Sequence, residues 1–144
     1  MTEPALLLRL RWYQAATLFS VMFALLGFTY NVWRMEQTEQ NSSVREASFE
    51  MLLQLAELEQ LVYAAYYDQD TVAGNPRKGW VIVGLIVDLS RACSPAVTAR
   101  ARELKSAWSD GWEVIHQDQA AVDAMVAGID ATRGAVQGVV EGLD

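Results

Sequence analysis

Between Trp12 and Trp33 the chain runs for 22 residues, WYQAATLFSVMFALLGFTYNVW, without a single charge. At helical rise that stretch is roughly 33 Å long and matches one crossing of a bilayer core of about 30 Å. Trp12 and Tyr13 stand at one end, Tyr30 and Trp33 at the other, and Arg11 and Arg34 bracket the run. Amphipathic rings and cations favour these headgroup levels, so the pattern predicts a transmembrane helix over 12–33 behind a short segment 1–11. A cleavable signal peptide fits less well, because its apolar region is shorter and ends at small residues, whereas Tyr-Asn-Val-Trp-Arg follows here. Within the span, the Thr17, Ser20 and Thr29 hydroxyls are expected to bond their own backbone rather than a neighbouring helix.

From Met35 to about Tyr67 there is neither Pro nor Gly, and Val44, Met51, Leu55, Leu58, Val62 and Ala65 recur at three- and four-residue steps. This is the stripe of an amphipathic helix, predicted over 34–68 and continuous with the membrane helix, with Asn41-Ser42-Ser43 as the one invitation to a hinge. Asn75-Pro76 then opens a second helix, since Asn caps free backbone N–H groups and Pro suits the first turn. Its Trp80–Val87 run is apolar on every side and reads as strand or helix by itself. With no partner strand elsewhere, 76–92 is predicted to be a short buried helix. Even the stretch from Gly79 to Ala92, with Asp88 and Arg91 inside it, is too short to cross a bilayer.

Ser94-Pro95 repeats the capping signature and opens a heptad-patterned segment predicted as one helix over 95–141, roughly 70 Å if unbroken. One seam reads Ala101, Trp108, Ile115, Val122, Ile129, Val136, Leu143, and its companion Val97, Leu104, Gly111, Asp118, Met125, Thr132, Val139. Gly111 is the expected kink. Such a seam serves either the chain's own bundle or a partner. Trp108, Ile115, Val122, Met125, Ile129, Val136 and Val139 are therefore the candidate interaction residues, for a protein partner or a second copy.

Charge narrows the partners. From Arg34 onward 9 basic residues face 17 acidic ones, and from Ser106 only Arg133 opposes seven carboxylates. That balance repels a phosphate backbone, so no nucleic-acid partner is expected. The lone Cys93 forms no intramolecular disulfide and no multi-thiolate site. Glu113-Val-Ile-His116 has the spacing found in carboxylate-bridged di-iron bundles, yet those need a second such pair and two further glutamates. No catalytic, cofactor or metal residues are assigned. Trp80, Trp108, Trp112, Tyr63, Tyr66 and Tyr67 suit core packing better than a ligand pocket. Gly134-x-x-x-Gly138-x-x-x-Gly142 has the form of a close-packing ridge, a motif specific mainly inside membranes.

The expectation is an all-α protein: one membrane helix, then a soluble helical hairpin or bundle of about three helices. The basic bias before the span sets the N-terminus in the cytoplasm and the 34–144 domain in the periplasm, at a bacterial inner membrane. The expected role is a non-enzymatic interaction or scaffold subunit of a membrane-associated complex, in contact with lipid and without a cofactor. A ligand-sensing receptor domain is the alternative, disfavoured because a single crossing with about eleven residues before it offers little to move.

Overall fold

The computed structural model describes residues 3–143, with side chains from Arg11 onward; Met1 and Thr2, at the start of the expected segment 1–11, lie outside the described residues. The elements are α1 (Glu3–Tyr66), α2 (Pro76–Cys93), α3 (Pro95–Gly111) and α4 (Gln119–Glu141), with no strand among the described residues. The all-helical expectation holds, including the continuity of the first two stretches, and one expected helix divides. The membrane stretch and the following amphipathic stretch form one uninterrupted α1, so Asn41-Ser42-Ser43 causes no break. The segment expected as one helix over 95–141 is two helices.

The chain divides into two compact units, residues 1–40 and 41–144. In the first, α1 is long and apolar enough to cross a membrane, and its apolar window is wholly exposed. Its hydroxyls turn inward on the helix itself: Thr17 donates to the Tyr13 carbonyl at 2.8 Å, Ser20 to Ala16 at 2.9 Å and Thr29 to Leu25 at 2.8 Å. These hydroxyls are thus satisfied by the helix's own backbone.

In the second unit the end of α1 packs with α2, α3 and α4 as an up-and-down four-helix bundle. Glu57 meets Lys78 and Ser48 meets Cys93, which sets α1 and α2 antiparallel. Thr98 donates to the Ser90 carbonyl, and Gly79 lies under the Trp108 ring, which does the same for α2 and α3. Gly128 lies against Leu104 and Gly111 against Met125 and Ala121, closing α3 on α4. The core holds the expected α1 stripe from Met51 to Ala65, then Ile82, Val83 and Ile86, and the inward residues of α3 and α4. Burying each large aliphatic side chain contributes about 1.5–3 kcal/mol.

Local signals place the joints. Asn75 accepts from the Arg77 N–H at 3.0 Å ahead of Pro76. Ser94 ends α2 and caps α3, accepting from Val97 N–H at 3.2 Å. α3 stops at Gly111, and α4 starts where Asp118 accepts from the Ala120 N–H at 2.9 Å. An N-cap aspartate satisfies donors that a through-running helix would not leave free.

Candidate functional site

The six seam residues Trp108, Ile115, Val122, Met125, Ile129 and Val136 are all buried within the chain's own bundle. Val139 is half-buried and packs against the same cluster. Because α3 and α4 fold back on each other, the two arms of the seam face one another and are spent on intramolecular packing. The seam residues belong to the core of residues 41–143. The membrane-boundary residues Arg11, Trp12, Tyr13, Tyr30, Trp33 and Arg34 are all exposed along α1, with the Tyr30 and Trp33 rings 6.3 Å apart.

The aromatic residues divide: Trp80, Trp108, Trp112 and Tyr66 pack in or against the core as expected, whereas Tyr63 and Tyr67 are exposed. Trp108 is fully buried, Trp80 and Trp112 meet edge to face at 6.4 Å, and Tyr66 is half-buried against the core, whereas Tyr67 stays exposed. Burial pushes the Tyr63 phenol above its ordinary range, helped by the Glu59 carboxylate that accepts its hydrogen bond at 3.2 Å. Glu113 and His116 both lie exposed in the turn between α3 and α4. Among the described residues no group of three or more His, Cys, Asp or Glu side chains could hold a metal ion. Gly134 and Gly138 face open space, so the glycine ridge makes no close packing within the chain.

At the α1–α2 end of the bundle lies a cavity of about 190 Å³ lined by Ala65, Gln69, Asp70, Thr71, Gly74, Pro76 and His116. It is smaller than the roughly 300–1,000 Å³ of ordinary small-molecule pockets. Its polar groups serve the loop itself. Gln69, at φ 53°, donates from Nε2 to the carbonyls of Tyr66 at 2.6 Å and His116 at 3.0 Å. Asp70 accepts from the Val72 and Ala73 N–H groups at 2.8 and 3.0 Å, and these bonds hold its carboxyl below the ordinary value.

The outer surface is uneven. In residues 41–143 every large apolar side chain that is left exposed belongs to α1, α2 or the loop joining them, and none to α3 or α4. Phe49 and Leu53, one turn apart, are 55% and 65% exposed; Val81 and Leu85, one turn apart on α2, are 71% and 39% exposed. Leu89 extends the α2 row, and a groove of about 510 Å³ joins it to Phe49 and Leu53, with Glu46 and Glu50 on the groove wall. Exposed apolar side chains framed by charge are a usual form of contact surface. The sequence holds the signal for the α1 pair, because Phe49 and Leu53 fall off the core stripe. On α2, the all-apolar run hides which residues face outward. In comparisons with known proteins no family model matches the chain, and neither a curated protein nor a solved structure matches it.

Proposed function

We propose that the chain is a single-pass membrane protein and a non-enzymatic interaction subunit of a membrane-associated complex. In this reading α1 crosses a bacterial inner membrane between Arg11 and Arg34, the N-terminus is cytoplasmic and the four-helix bundle is periplasmic. One observation carries it: α1 leaves its charge-free span wholly exposed, while residues 41–143 bury a complete core of their own. An apolar helix of that length in water would cost far more than the same helix in lipid. Support for an interaction role comes from the exposed apolar side chains on α1 and α2.

The test has two parts. The chain should remain in the membrane fraction after alkaline carbonate extraction, and a C-terminal alkaline phosphatase fusion should be active. Gently solubilised, it should co-purify with a defined set of membrane proteins. Release by carbonate would remove the anchor, an inactive phosphatase beside a fluorescent fusion would invert the topology, and isolation as a lone monomer would remove the interaction role.

A further inference from the structure

We propose that the α1–α2 groove docks an amphipathic helix of a partner protein, one with an apolar stripe flanked by Lys and Arg. The proposal rests on the interaction role above and names the chemistry of the partner. Phe49 and Leu53 on one helix and Leu89 on its antiparallel neighbour line a groove, and Leu85 and Val81 lie exposed one and two turns from Leu89 on α2. A third helix laid along such a groove offers apolar residues at i, i+3/i+4 and i+7 to both helices. The groove wall carries Glu46 and Glu50, and residues 41–144 hold eight basic against fifteen acidic side chains.

That charge selects among occupants. A second copy of this chain would bring the same two glutamates against Glu46 and Glu50, and an anionic lipid surface would meet the same repulsion. A helix with basic flanks gains attraction at the rim and burial at the centre. The groove of similar volume between α3 and α4 is lined by Glu103, Asp110, Asp118 and small side chains, and that side has no large exposed apolar residue to anchor a helix.

The experiment uses the full chain in nanodiscs of zwitterionic lipid, with a photoreactive benzoylphenylalanine in place of Phe49. The probe is a fluorescent Leu-striped peptide of about five helical turns with Lys and Arg flanks; its twin carries Glu at each flank position. The basic peptide should bind and cross-link, and the acidic twin should do neither. Leu53→Asp and the double variant Glu46→Lys/Glu50→Lys should each weaken binding about tenfold or more, with thermal melts unchanged because all three side chains are on the surface. Equal binding of both peptides, binding indifferent to either variant, or no binding overturns the proposal. So does cross-linking of the photoreactive side chain to a second copy or to lipid. If these failures occur while the chain still co-purifies with its membrane complex, the docking surface falls and the interaction role stands; if co-purification also fails, both fall.

Discussion

Two glycines five residues apart on α2 should respond to the same substitution with opposite sign. A Cβ on Gly79 would overlap the six-membered ring of Trp108, at Cζ2 and Cη2, whereas a Cβ on Gly84 meets nothing within 4 Å. Replacing a helical Gly by Ala favours the helix by up to about 1 kcal/mol, so Gly84→Ala should stabilise by that amount. At Gly79 the same gain is set against overpacking, which costs about 1–3 kcal/mol, and Trp108 has little room to yield because it is fully buried. Gly79→Ala should therefore destabilise by about 1–2 kcal/mol net. Trp108→Phe shortens the ring and should relieve the clash, so Gly79→Ala should cost less in that background than in the wild type, a non-additivity that marks direct contact. Trp108→Phe alone opens a cavity but also removes an indole N–H that has no hydrogen-bond partner among the described residues. The assay is urea unfolding of all four variants, followed by tryptophan-independent circular dichroism. If Gly79→Ala stabilises as much as Gly84→Ala, or if its cost is unchanged in the Trp108→Phe background, the close approach of α2 to Trp108 is refuted.

Ile129→Asp, at a fully buried core position, should cost about 3–5 kcal/mol and lower the melting of residues 41–144 as a whole; loss of association with an unchanged melt would show the seam to be an interface after all. Arg133 bridges Glu59 and Asp130 at 2.6 Å each and is only 27% exposed, so Arg133→Ala should cost about 1–3 kcal/mol, measured by chemical denaturation, and a cost near zero would show the bridge to be solvent-screened. Because Asp70 is held below its ordinary 3.8, folding favours its carboxylate; its contribution is complete above the unfolded-state value and fades as pH falls through the lower folded one. Asp70→Asn should thus flatten the acid limb of a stability-against-pH curve, and an identical limb in both proteins would remove the loop bonds from the account.

The elements whose sequence signals are local were readable, and those fixed by chain reversal were not. Asn75-Pro76 and Ser94-Pro95 announce helices because each supplies its own cap, and the α1 stripe names its buried residues because one face of a helix repeats every three or four positions. The heptad count picked inward-facing residues of α3 and α4 correctly yet ran straight through the turn between them. A seam records which side chains face inward, and in an antiparallel hairpin both arms face inward. The two non-apolar residues of the companion seam that mark the break, Gly111 and Asp118, were the available signal: one ends α3 and the other caps α4. Thr132 also interrupts that seam but stays buried, its hydroxyl donating to the Gly128 carbonyl at 2.8 Å, which is why polarity alone did not locate the turn. The exposed apolar side chains of α2 were hidden for a different reason, since Val81 and Leu85 lie in a run whose periodicity is erased by apolar residues on every side.

The bridge from Arg133 to Glu59 joins residues 74 apart in sequence, whereas α1–α2, α2–α3 and α3–α4 meet across short connections. Contacts between neighbours in sequence form at low loop-closure cost, so the three hairpins are expected to form before α4 meets α1. During synthesis the α1 stripe from Met51 to Ala65 emerges more than fifty residues ahead of the part of α4 that covers it. Until that helix arrives the nascent chain carries an open apolar flank beside α1, and the time spent in that condition sets its demand for a chaperone.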